Sequence, residues 1–99
     1  MAITVNQGRE NQFSVRPPEE LAAQLLDFLK NNVSCTITNA LSHNGNIEGQ
    51  ITDSNLSARG IAGMIAASLD YEIESDSALH AEWTLLSKEE MKHYEHYGI

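Results

Sequence analysis

The sequence predicts an α+β fold on three observations. Segments alternating apolar with polar residues flank two segments of helical periodicity, their order is strand, helix, strand, strand, helix, strand, and the chain has only 99 residues. That order is the split βαβ arrangement of ferredoxin-like folds, here with an additional strand before it and an extra C-terminal strand and short helix after it. The expected architecture is an antiparallel or mixed sheet with helices on one face, formed as a single α+β domain over residues 1–99.

In chain order, Phe13 and Val15 alternate with Gln12 and Ser14 between Asn11 and Arg16, the period of two of a half-buried strand. Ile3 and Val5 repeat the pattern, so the first sixteen residues read as a hairpin. Pro17-Pro18-Glu19-Glu20 opens a helix: proline tolerates the first turn, where its missing N–H has no partner, and acids there suit the positive end of the dipole. Leu21, Leu25, Phe28 and Leu29 follow at helical spacing, with Ala22 and Leu26 beside them, and Asn31-Asn32 marks the exit.

Val33, Cys35 and Ile37 alternate with Ser34, Thr36 and Thr38, and a second alternating run covers Ile47 to Thr52. A two-residue Asn44-Gly45 loop would put the two apolar sets on opposite faces. A three-residue loop, Asn44 to Asn46, brings Leu41, Ile37, Ile47 and Ile51 to one side and is the expected connection. Asp53 or Ser54 then caps a helix from about Leu56 to Leu69, with Ile61, Ile65 and Leu69 four apart. Gly60, Gly63 and Ala67 leave one side of it nearly bare. Glycine inside a helix costs up to about 1 kcal/mol against alanine, so this stripe is expected to accept close approach of the protein's own sheet or another helix. Tyr71 to Glu74 and Leu79 to Leu85 read as a last hairpin, and Ser87 with Glu90 has the capping-box spacing of a short final helix ending near Gly98.

Composition narrows the function. An apolar share of 41% with 20% charged residues is too hydrophobic for a disordered acidic tail. Six Lys and Arg against fourteen Asp and Glu leave a net charge of −8, so no basic stripe is present to displace counterions from a nucleic-acid backbone. The same charge opposes an anionic membrane surface, and no apolar run approaches the roughly 20 residues of a membrane helix. Met1 to Arg9 lacks the pattern of a secretory signal, and the single Cys35 cannot close an internal disulfide, so a cytoplasmic location is expected.

Two constellations offer chemistry. Glu89, His93 and His96 stand at i, i+4 and i+7 on one face of the last helix and form a candidate divalent-metal set; the dipole argument favours instead a solvated helix end complemented by late His and Lys. The acidic run Asp70, Glu72, Glu74 and Asp76, with Glu82 beyond it, contains no Lys or Arg in thirteen residues. A three-residue loop, Asp76 to Ala78, pairs Ile73 with Ala81 and Tyr71 with Trp83 inside, and Glu72 with Glu82 outside. Like charges directly opposite destabilise a sheet unless a cation or cationic partner offsets them. Glu72, Glu74, Asp76 and Glu82 are therefore the candidate partner-binding residues.

No catalytic residue is assigned. Cys35 alternates in phase with Val33 and Ile37 and reads as a thiol packed in the core. Ser57-Ala58-Arg59-Gly60 lacks the spacing and Lys of a phosphate-binding loop, and no cofactor is expected. The function expected is a small acidic non-catalytic interaction module that binds a basic protein partner or self-associates as a homo-oligomer. The alternative is a small ligand-binding protein or enzyme with a pocket between sheet and helices, using His43, His80 or Glu82.

Overall fold

A computed structural model describes residues 2–41, 45–77 and 81–97, the side chains of 75–77 and 93–97 excepted. Three hairpins are each followed by a helix. Strands β1 (Ile3–Gln7) and β2 (Gln12–Arg16) lead through a 3-10 turn, Glu19–Leu21, into α1 (Ala22–Asn32). Strands β3 (Cys35–Ala40) and β4 (Ile47–Ile51) precede α2 (Ala58–Leu69), and β5 (Tyr71–Ser77) and β6 (Glu82–Ser87) precede α3 (Lys88–Tyr97). The six strands form one antiparallel sheet in the order β3-β4-β2-β1-β6-β5, with the three helices packed against it.

Alternation explains which side is covered. Ile3, Val5, Phe13, Val15, Ile47, Ile51, Trp83 and Leu85 all face one way and are buried. Leu25 and Leu29 of α1 and Ala58, Ile61, Ala62 and Ile65 of α2 close over them. Burying one such aliphatic side chain stabilises by about 1.5–3 kcal/mol, and the layer contains no buried polar or charged residue among those described. The radius of gyration, 13.2 Å, is that of a folded chain of this length.

The first half follows the expected arrangement, since β2 and β3 are parallel with β4 between them. A ferredoxin-like order would then place β5 beside β2, and it does not: β1 and β6 intervene and push β5 to the edge. Competition for burial accounts for this. β1 and β6 bring Ile3, Val5, Trp83 and Leu85, each no more than 5% exposed, whereas β5 carries Glu72, Glu74 and Asp76, which suit an edge.

Local signals resolve in several ways. Ser57, not Asp53 or Ser54, caps α2, with the Gly60 N–H donating to its Oγ at 3.1 Å; Asp53 instead accepts from the Asn55 N–H in a turn. The capping box of α3 is present, the Glu90 N–H donating to Ser87 Oγ and the Ser87 N–H to Glu90 Oε1, both at 3.1 Å. The β3–β4 connection is longer than three residues: Ala40 pairs with Ile47, and a bulge at Thr38 shifts the register. Ile37, Ile47 and Ile51 still share the inner face, but Leu41 lies beyond the last pair with a left-handed φ of 57° and is 41% exposed. Ser42, His43 and Asn44 lie outside the described residues. Among the described residues no other element packs on the Gly60–Gly63 stripe. A Cβ at Gly60 would meet only Leu56 and Ser57, and one at Gly63 only the tip of Arg59.

Candidate protein-interaction surface

Apart from Leu86, which pairs with Glu72, the described outer face of the sheet is polar, and none of its described residues is buried. Because Phe13, Val15, Ile47 and Ile51 turn inward, Gln12, Ser14, Arg16, Glu48 and Gln50 turn outward; Thr4, Asn6, Glu72, Glu82 and Thr84 do the same on the other three strands. One row of cross-strand neighbours reads Asn39, Glu48, Ser14, Asn6, Glu82, Ser77. Asn39 Nδ2 donates to Glu48 Oε1 at 3.1 Å, which holds that carboxylate on the β4 surface. A shallow groove of about 200 Å³ lies along the row, walled by Asn6, Gln12, Ser14, Glu48 and Gln50. Gly49 forms part of its lining and has the Phe13 ring against its inner side.

The acidic hairpin is arranged differently from the expected register. Ile73 pairs with Leu85 and Tyr71 with Ser87, four residues along β6 from the anticipated partners. Glu72 consequently opposes Leu86, and Glu82 opposes Ser77, so the expected Glu72–Glu82 contact does not form. Four residues along a strand is about 13 Å. Glu74 falls in the bulge between Ile73 and Ser75 and is half-buried. Asp76 holds the register position opposite Trp83; its side chain lies outside the described residues. β5 runs to Ser77, through the expected start of the loop at Asp76, and Ala81, with a φ of 51°, accepts the Gln7 N–H at 2.9 Å; residues 78–80 lie outside the described residues.

The run is not devoid of cations in space. Lys88 Nζ reaches Asp70 Oδ1 at 2.9 Å. The hydrogen bond to Asp70, together with the charges of Asp70 and Glu72, raises the Lys88 pKa above its ordinary value. Lys88 thus offsets the Asp70–Glu72 end of the hairpin. Glu48, on β4, joins the surface from a strand the sequence did not connect with it. Its outward position was readable from the inward Ile47 and Ile51, but the adjacency of β4, β2, β1 and β6 was not.

The other candidates fall as follows. Glu89 is exposed near the start of α3, and His93 and His96 occupy that helix with side chains outside the described residues. Among the described residues no cluster of His, Cys, Asp and Glu has metal-binding geometry. Cys35 is half-buried against the core, its Sγ 3.7 Å from the Leu29 carbonyl, and burial raises its pKa. Glu82 lies on the exposed face rather than between sheet and helices, and His43 and His80 lie outside the described residues. No described helix is long and apolar enough to cross a membrane. No protein-family model, no curated protein and no solved structure matches the chain.

Proposed function

We propose that the chain is a non-catalytic interaction module that docks a basic protein partner on the open face of its sheet. The carrying observation is the spread of carboxylates over that face: Glu48, Glu72 and Glu82 stand on it with Arg16, among neutral Thr, Ser, Asn and Gln and the half-buried Leu86. Glu48 and Glu82 are three strand spacings apart, about 14 Å, and Glu82 and Glu72, four residues along and one strand across, also about 14 Å. Carboxylates that far apart cannot converge on one metal ion, whose oxygen ligands sit at about 2.0–2.6 Å. They match several separated Lys or Arg on a protein surface, where complementary charge speeds encounter and selects partners. A nucleic acid or an anionic membrane would be repelled by the same face.

The enzyme or ligand-carrier alternative needs a pocket between sheet and helices. Among the described residues that layer is filled by apolar side chains, with no buried polar or charged residue to orient a ligand. The test is affinity purification of the tagged chain from its native cell at low and at high salt. A basic protein should be retained at low salt, released at high salt, and lost from a Glu48→Gln/Glu72→Gln/Glu82→Gln variant. Equal retention by that variant, or a partner indifferent to salt, would remove the acidic face as the docking surface.

A further inference from the structure

The sheet ends on two edges of opposite character. β5 carries Glu72, Glu74 and Asp76 and a bulge after Ile73, devices that keep an edge from pairing. β3 is Cys-Thr-Ile-Thr-Asn-Ala, without one charged residue in a chain of net charge −8. Its own bulge falls at Thr38, past Cys35, Thr36 and Ile37, and no described strand pairs with its outer side.

Hydrogen-bond parity says which backbone groups are left over. The Thr52 N–H donates to the Ser34 carbonyl at 2.9 Å, so Ser34 and, two residues on, Thr36 turn their groups toward β4. A Cβ built on Gly49 would lie 2.9 Å from the Thr36 carbonyl oxygen, which places that oxygen on the β4 side. Cys35 and Ile37 therefore turn an N–H and a C=O each toward solvent.

We infer that this edge pairs with β3 of a second copy, antiparallel about a two-fold axis through Thr36, and joins two sheets into one. Cys35 of each copy then exchanges both backbone hydrogen bonds with Ile37 of the other, which satisfies all the outward groups of the segment. The contact is isologous and closes on itself. Thr36 meets Thr36 of the second copy on the outer face, a favourable cross-strand pair. On the inner face the part-buried Cys35 and Ile37 continue the core across the junction. Charge does not forbid the approach: the acidic edge β5 is five strand spacings from β3, about 24 Å, against a Debye length of about 8 Å at physiological salt. A contact this short is at the weak end of specific interfaces, below about 1,000 Å², so assembly should depend on concentration. It involves none of Glu48, Glu72 and Glu82 and stands or falls separately from the docking face.

Two measurements test it. In sedimentation velocity the native chain should move from monomer toward dimer between micromolar and millimolar concentration. Thr36→Glu, at an exposed position, should weaken association by about tenfold or more by setting like charges face to face. In a Cys35→Ser background, Thr36→Cys should cross-link under diamide, because a non-hydrogen-bonded antiparallel pair has a Cα separation of about 4.5 Å, within disulfide reach. The same oxidation of Cys35→Ser/Thr4→Cys, on the interior strand β1, should leave monomers. A native chain that stays monomeric at millimolar concentration overturns the inference. So does a dimer that Thr36→Glu leaves intact, or one whose Thr36→Cys variant never cross-links.

Discussion

Gly49→Ala should be among the most damaging single-methyl additions in this protein. Gly49 occupies an inward position on β4 between Phe13 of β2 and Ile37 of β3. A Cβ there would lie 2.8 Å from both Cε1 and Cζ of the Phe13 ring and 2.9 Å from the Thr36 carbonyl oxygen. Neither neighbour yields cheaply: Phe13 is 3% exposed, held in the core, and the carbonyl belongs to the β3–β4 ladder. Overpacking of this kind costs about 1–3 kcal/mol, and the smaller conformational freedom of alanine in the unfolded chain returns about 0.4–1 kcal/mol. The net expectation is a loss of roughly 1–2 kcal/mol, or about 5–15 °C in Tm for a chain of this size. Urea unfolding should show a lower midpoint at an unchanged slope, because the surface exposed on unfolding is the same. A double-mutant cycle with Phe13→Leu sharpens the assignment. If the ring is what the methyl meets, the two costs should fall short of additivity by about 1 kcal/mol. A midpoint that stays put or rises in Gly49→Ala would refute the close packing of ring on glycine, and strict additivity would refute Phe13 as its source.

Three further outcomes follow from local geometry. Ser87→Ala removes the acceptor of the Glu90 N–H and should cost about 1 kcal/mol, seen as faster amide exchange in the first turn of α3; unchanged exchange would argue against the capping box. Burial raises the Cys35 pKa above its ordinary 9.0, so the native thiol should react with a thiol reagent at pH 8 more slowly than in urea, and equal rates would contradict its packing. Tyr71, through burial and then the nearby Glu90 and Glu20 carboxylates, and Lys88, through its hydrogen bond to Asp70, both have raised pKa values. Each holds its proton more tightly folded than unfolded, so their contribution is full below the ordinary values of 10.0 and 10.5 and is lost as pH rises through the folded ones. The urea midpoint should fall in that alkaline range, and Tyr71→Phe with Lys88→Met should flatten the fall.

Elements that depend on short-range periodicity were legible before the structure. The stripe Leu21, Leu25, Leu29 needs only its own turns to declare a helix, and Ser87 with Glu90 needs only three residues to declare a cap. Strand order and register are different, because they are decided by competition between segments far apart in the chain. β1 reads from the sequence only as a partner of β2, yet Ile3 and Val5 are fully buried and place it near the centre of the sheet, between β2 and β6. β5 looked like a core strand, but the acids that drew attention to it are what leave it at the edge. The register of its hairpin was missed for a related reason. Matching Tyr71 to Trp83 satisfied face alternation, and so does matching it to Ser87, so alternation alone leaves the register open; in the structure Leu85 lies between Ile3 and Ile73. The same non-local pairing brings Glu48 onto the face of Glu82. The acidic surface therefore draws its carboxylates from three strands rather than from one hairpin, and its removal should require changes on β4 as well as on β5 and β6.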